Sequence, residues 1–598
     1  MRLVAAMAAL NILLLLLLAR TWTDSSTIVE AVISTPINTP SPSPTARPFP
    51  SLTPTPIASP TLLPATVSPV AAWPAATGSV VYVARENGND DLYVLSTGRP
   101  RPIRLTHHPA DDRDPAWSPD GSQIAFSSRR NGNWDLYLFS LETGQISRLT
   151  QDQAFEAHPA WSPDGQWLVY EGYLNGNLDL YILPASGGEA LRLTDHPAPD
   201  YAPTWSPCGR HIAFVSWRDG NPDICLFPLE NSRDDAVINI SRSIQTVEDD
   251  PAWNPTGDYL AFTGQIRDQQ FVFAQRMANN LPAGEPFPVG QGREPTWSPD
   301  GLGLLLVHDA PPNHYLLATA VEGWGAAPQV HQDQRPLSSP DWTESPLPLG
   351  AWSVDLYSGD ASAFWEMVAD PAGEGPPYTL VSVPKVQVPG PLLSDRVDGL
   401  FRELRARVIR EAGWDPLGVL DSMWEPLDML LPPGLGTQSW HKAGRAVDLA
   451  STLNNGLSPE LEVVQEITSS DDAGLECTGA HTQWRVYLRA ARQDGSQGEP
   501  MRVLPWNLQA RYSGNESDYA AGGRTKSEIP SGYYVDLTRL AADLGWQRVP
   551  SGGNWRTYFP ATQWWHLENR QGLSWREAML EIYTAKELGR LLLEGAAD

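Results

Sequence analysis

Between residues 78 and 343 apolar positions alternate with period two in short runs, such as Gln123-Ile124-Ala125-Phe126 and Asp135-Leu136-Tyr137-Leu138. Such runs predict short strands with one face buried. Turn residues separate them. Pro-Asp-Gly is turn chemistry, and Asn-Gly supplies the positive φ of a tight hairpin. The pattern itself recurs. Trp117, Trp161 and Trp297 open Trp-Ser-Pro-Asp-Gly, Trp205 and Trp253 open variants of it, and Trp342 stands in a degenerate sixth copy. Their spacings are 44, 44, 48, 44 and 45 residues. Gly88, Gly132, Gly176 and Gly220 keep the period, as do Asp91, Asp135, Asp179 and Asp223 in Asp-Leu-Tyr-like runs. Leu105, Leu149 and Leu193 mark three copies of Arg-Leu-Thr. Four short antiparallel strands per repeat describe a propeller blade. The repeat starts near Gly78 with a second strand and ends near Trp342 with a first strand. The two part-units add up to one blade, which predicts an all-β, six-bladed ring closed by pairing its two ends.

These units resemble the TolB-like beta-propeller, a relative of the WD-repeat propellers, over about residues 78–343. The resemblance implies recognition of a protein partner or ligand at the propeller face or channel, without catalysis. The repeated Trp, Asp and Gly residues are expected to pack blades and make turns. Cys208 stands where other copies have Asp, and Cys225 where they have Tyr. A Cys208–Cys225 bridge is one option for these thiols.

Residues 344–598 show a different pattern. Ser394 to Ala412 places Val397, Leu400, Phe401, Leu404 and Val408 at helical spacing, with Gly413 after its end. A second helix is expected at Tyr534–Gly545, with β-rich sequence over 460–515 between them. This describes an α+β domain. Two segments in it carry candidate chemistry: Ser439-Trp440-His441-Lys442-Ala443-Gly444-Arg445-Ala446-Val447-Asp448, and Gln563-Trp564-Trp565-His566-Leu567-Glu568. Two imidazoles and a carboxylate are a plausible three-ligand zinc set with a fourth position left open. Gly444 and Ala446 are small enough to let the loop turn back.

The first segment is similar to the SxHxxGxAxD signature of the zinc D-alanyl-D-alanine peptidases, the VanY-like carboxypeptidases and VanX-like dipeptidases. The resemblance implies zinc on His441, Asp448 and His566, and a peptide or peptidoglycan stem-peptide substrate. Two departures weigh against hydrolysis. The family has a catalytic glutamate three residues before the last His, and this chain has Gln563. It also has an arginine before the first His, where Leu420–Glu425 carries none; Arg405 and Arg410 are the candidates to replace it. Glu568 is a candidate base, or a partner that orients His566. Three readings are open: an active zinc peptidase, a degenerate one that binds peptides, and a scaffold whose propeller does the work.

Composition narrows the setting. The chain has 598 residues, 41% of them apolar, and a net charge of −28. That charge excludes a basic nucleic-acid surface. Three cysteines exclude a disulfide framework and a cysteine-built zinc site. Residues 1–20 are an apolar run flanked by Arg2 and Arg20, read as a signal peptide or a membrane anchor. No cysteine directly follows that run, which excludes a lipoprotein anchor. Residues 21–77 form a Pro/Ser/Thr-rich stalk, with twelve prolines between Pro36 and Pro74. At about 3.1 Å per residue this stretch reaches about 120 Å when extended. The protein is expected to be exported, at the cell surface or in the periplasm.

Overall fold

The computed structural model describes residues 78–594, apart from 97–100, 152–154, 232, 234–235, 243–246, 267–268, 322–328, 348–375, 430–437, 455–459 and 469–480. The apolar segment, the stalk and Cys477 lie outside the described residues. Among the described residues no helix is long and apolar enough to cross a membrane.

The repeat motif explains itself in hydrogen bonds. In Ser-Pro-Asp-Gly, Ser118 Oγ donates to Asp120 Oδ1 at 2.6 Å, and Gln123 N donates to Ser118 Oγ at 2.9 Å. The same serine–aspartate pair recurs at Ser162–Asp164 and Ser298–Asp300. Where Cys208 replaces the aspartate, a 3.4 Å contact with Ser206 Oγ stands in. The aspartate of Asp-Leu-Tyr pairs with the arginine of Arg-Leu-Thr: Asp91–Arg104 at 2.6 Å, Asp135–Arg148 and Asp179–Arg192 at 2.7 Å. The threonine hydroxyls at 106, 150 and 194 accept from the N–H of Leu92, Leu136 and Leu180. These bonds tie the third strand of a blade to its outermost segment. The tryptophan indoles reach across blades. Trp117 donates to Asp341 O, Trp161 to Ala116 O and Trp297 to Ala252 O, at 2.9–3.2 Å.

Six antiparallel sheets result. The strand Leu337–Thr343 pairs with Ser79–Glu86, so one blade is built from both ends of the repeat and closes the ring. Each innermost strand also carries a bulge three residues before its tryptophan. Asp114, His158, Ala202, Asp250, Glu294 and Ser339 sit there with φ between 48 and 54°. The pairing register shifts at each, as a bulge requires. Cys208 and Cys225 are both free, which corrects the bridge considered above. Cys225 is locked in a strand opposite Phe214 and buried between blades, while Cys208 is exposed in a turn.

The C-terminal region packs two mixed-length antiparallel sheets around one core. One contains Leu420–Ser422, Ala446–Leu449, His566–Glu568 and Gln547–Arg548. The other contains Leu461–Thr468, His481–Arg489, Tyr533–Asp536 and Glu499–Pro500. The first helix spans Asp398–Ala412 and buries Phe401, Leu404, Val408 and Ala412. It starts later than expected because Ser394 belongs to a strand paired with Leu380 and donates its N–H to Gly444 O. The second expected helix is half strand. Tyr533–Asp536 pairs with the end of His481–Arg489, and helix begins at Leu537, where the Asp536 carboxylate accepts from Arg539 N at 3.0 Å.

This region sits on the face of the ring formed by the hairpin turns between second and third strands. Arg407 donates to Asn87 O, and Arg129 pairs with Glu411 at 2.8 Å. Arg85 pairs with Asp543 at 2.7 Å, Arg113 with Glu499 at 2.5 Å, and Arg539 with Asp90. Tyr173 and Tyr533 meet edge to face at 5.2 Å. Arg502 reaches Glu171, a fully buried carboxylate also 3.3 Å from His158. Burial alone would raise Glu171; Arg502 and His158 outweigh it and hold the carboxyl down to about 2. Burial alone would lower His158; Asp114 and Glu171 outweigh it and raise the imidazole to about 9.

The packing makes two predictions. Leu337→Ala, at the ring closure, is expected to cost about 2–5 kcal/mol, while Leu302→Ala, 75% exposed, stays within about 0.5 kcal/mol; urea midpoints measure both. The His158 contribution is complete below its ordinary value of 6.5 and fades as pH rises through about 9. The urea midpoint is therefore expected to fall across that range, and to fall less in His158→Gln.

Candidate metal centre

Strand pairing sets the geometry. Asp448 and His566 are direct partners across the antiparallel pair Ala446–Leu449 and His566–Glu568. Directly opposed residues point to the same face, and His566 Nδ1 lies 2.6 Å from Asp448 Oδ1. His441 arrives from the loop before. Residues 439–445 make a tight turn in which Gly444 N donates to His441 O and Arg445 N to Trp440 O. Gly444 ends the turn at φ +62°. A Cβ there would stand 2.8 Å from Ser394 N and 3.2 Å from the Leu393 carbonyl carbon. Small size and a left-handed backbone are both required. The turn brings His441 Nε2 to 3.3 Å from Asp448 Oδ1. The two rings stand 5.0 Å apart at 63°.

One ligand atom from each of His441, Asp448 and His566 lies within 4.8 Å of the others. His441 is buried, and Asp448 and His566 are partly exposed, so the cluster has an open side. The outer atoms of the rings are also settled. His441 Nδ1 is 2.8 Å from Met423 O, which fixes the proton there and turns the Nε2 lone pair inward. His566 Nε2 is 2.9 Å from Glu568 Oε1, which leaves Nδ1 for the cluster. An imidazole ligand needs this kind of support on its other nitrogen. Two nitrogens and a carboxylate oxygen with one side open suit zinc. By donor set and tautomer, the residues present fit that ion.

Electrostatics without a metal agree with a tightly coupled cluster. Burial alone would raise Asp448; His441 and His566 outweigh it and hold the carboxyl well below the usual range. Burial alone would lower His566; Asp448 and Glu568 outweigh it and raise the imidazole to about 10. His566 Nδ1 would have to give up its proton to hold a cation here.

Glu568 is buried and both its oxygens are engaged. Oε1 meets His566, and Oε2 accepts from Arg570 Nε at 2.7 Å. It stands on the side of the ring away from Asp448. Gln563 caps the turn Phe559–Thr562 with φ +52°, and its carbonyl accepts from His566 N at 3.2 Å. Among the described residues its side chain makes no hydrogen bond. Neither Arg405 nor Arg410 joins the cluster. Arg405 is held by Asp415 and the carbonyls of Pro384 and Lys385, and Arg410 lies beside Glu411 on the helix. Arg570 instead bonds Glu568, behind His566, and lies 5.4 Å from the Trp440 ring centre. Its signal in the sequence is its place two residues after Glu568. The Leu420–Glu425 stretch, which lacks the expected arginine, supplies the Met423 carbonyl and pairs Ser422 with Asp448.

Residues 65–171 and 135–346 match the model of the TolB beta propeller domain. Among curated proteins none matches this chain. Among solved structures, TolB from Acinetobacter baumannii is 21% identical, over 44% of this chain and 66% of its own, with a TM-score of 0.39. A putative TolB from Agrobacterium tumefaciens is 25% identical, over 37% of this chain and 87% of its own, with a TM-score of 0.31. A puromycin-hydrolyzing peptidase from Mycobacterium tuberculosis is 13% identical, over 53% of this chain and 46% of its own, with a TM-score of 0.33. The chain thus spans just under two thirds of the Acinetobacter protein. The domain match ends at residue 346, before the cluster of His441, Asp448 and His566 begins. Together with the six closed sheets, it makes residues 79–343 a TolB-like β-propeller.

Proposed function

We propose that this chain is an exported envelope protein whose propeller carries a zinc-binding, peptidase-like domain. The domain takes short peptides such as peptidoglycan stem peptides and holds them without hydrolysing them at ordinary rates. The convergence of His441 Nε2, Asp448 and His566 Nδ1 on one open-sided point carries this reading. Zinc, when bound, supplies a Lewis acid that polarises a peptide carbonyl.

The chain's own residues position but do not transfer protons. The Met423 carbonyl and Glu568 orient the two imidazoles. Gln563 can donate or accept a hydrogen bond, but its amide cannot take a proton near neutral pH. Glu568 faces the wrong nitrogen of His566 and is held by Arg570. Glu425 accepts from Ser439 Oγ at 3.0 Å and lies near Ser422, on the Nδ1 side of His441. The apolar leader and the Pro-rich stalk support export. The TolB-like propeller supports recognition of a protein partner. One of its faces is covered by the C-terminal domain, so such a partner meets the opposite face, built from the Pro-Asp-Gly turns.

The full chain is expected to bind about one zinc, measured by elemental analysis, and to lose it to a chelator. His441→Ala abolishes this binding, and Glu568→Gln weakens it about 10–100-fold. The native chain releases no D-Ala from D-Ala-D-Ala or a muramyl pentapeptide, whereas Gln563→Glu gains turnover. Turnover by the native chain would make it an active peptidase. A chain without zinc would leave a scaffold.

A further inference from the structure

The strand His481–Arg489 has two faces of different character. Trp484, Val486 and Leu488 point into the core of the C-terminal domain. Arg485, Tyr487 and Arg489 point the other way, toward the propeller. The two arginines share that face but not their circumstances. Arg485 Nε lies 2.8 Å from Glu466 and 3.8 Å from Asp536. Arg489 has no carboxylate partner among the described residues. Its backbone is nonetheless pinned: its N–H donates to Glu460 O at 2.9 Å, and its carbonyl accepts from Trp414 Nε1 at 2.8 Å.

Arg489 lines a cleft of about 1270 Å³ between the propeller and the C-terminal domain. Ligand sites favour such domain junctions and combine apolar walls with a few polar groups. The wall here includes Trp217 and Tyr173 from the propeller and Tyr534 from the C-terminal domain. Its charged residues are Arg489, Arg524 and Lys526 against Glu462 and Glu528, three cations to two carboxylates. In a chain of net charge −28 this is a local reversal of sign. Lys526 is neutralised by Glu462, with N–O distances of 2.7 and 2.8 Å. Arg524 lies 3.5 Å from Asp518. Among the cleft's three cations Arg489 is the one left without an ion pair among the described residues, beside the Tyr173 hydroxyl that accepts from Gly532 N, while Glu528 is an exposed carboxylate on the same cleft.

We propose that this cleft is a second ligand site, separate from the metal centre. It takes an organic carboxylate with an apolar body, of the size of a di- or tripeptide. The carboxylate pairs with the Arg489 guanidinium, whose planar fork suits that group. The apolar body lies along Trp217 and Tyr534.

The test is calorimetric titration of the full chain, stripped of metal so that the other site stays silent. The probes are N-acetyl-L-phenylalanyl-L-alanine and its C-terminal amide. The acid is expected to bind about tenfold or more tighter than the amide, the range of a charge-assisted contact. Arg489→Met removes that preference while leaving amide binding unchanged. Arg489→Lys keeps the charge and retains part of the preference, which separates loss of the contact from loss of the fold. Trp217→Ala weakens both probes. Equal binding of acid and amide, a preference that survives in Arg489→Met, or no binding of either probe overturns the proposal.

Discussion

Asp448 stands opposite His566 across an antiparallel pair, and the cluster of His441, Asp448 and His566 depends on that register. Side chains alternate with a period of two, so a slip of one residue would send Asp448 to the far face. The slip is blocked on both sides. Ser422 pairs with Asp448 from the other edge. Arg445, fully buried, bonds the Asn569 carbonyl and Glu581 and clamps the start of one strand to the end of the other. Ala446, Val447 and Leu449 are fully buried. The register that serves the core is therefore the register that assembles the cluster.

A second constraint is ionic. The face of the propeller under the C-terminal domain is held largely by arginine–carboxylate pairs, several of them removed from water. Desolvation offsets much of the attraction in such pairs, so they add little net stability. Removing one partner is costly all the same, because the other charge is then buried alone. The effect is to permit one seating of the domain and penalise others. Arg485 and Arg489 show the rule and its exception on one strand. The first is neutralised within its own domain, and the second faces an open cleft and makes no ion pair among the described residues.

The blades are legible in the sequence because two periods coincide there: alternation within strands and recurrence of turn residues between them. Even the split blade can be read from the phase of the repeat. The bulges cannot. A left-handed Asp114 or His158 has no signature beyond its place before a tryptophan, since neither is glycine. The helix expected from Tyr534 begins only at Leu537, because Tyr-Tyr-Val is strand-forming and Asp536 caps the helical turn after it. His441, Asp448 and His566 stand out through a resemblance, and spacing alone would not pair residues 118 positions apart. Their supports are harder to see. A backbone carbonyl such as that of Met423 carries no mark in the sequence, and the docking arginines look like ordinary surface charge.

Residue 563 joins these threads. Its left-handed backbone lets the chain reverse between Phe559–Thr562 and the strand of His566, at a cost of about 1–3 kcal/mol for a residue that is not glycine. Glutamate and glutamine meet that backbone demand equally, because they differ by one terminal atom. Glutamate at 563 would therefore leave the fold, the register and the three inward-facing ligand atoms untouched, while adding a titratable group. The geometry of the three ligand atoms follows from packing alone and says nothing of turnover.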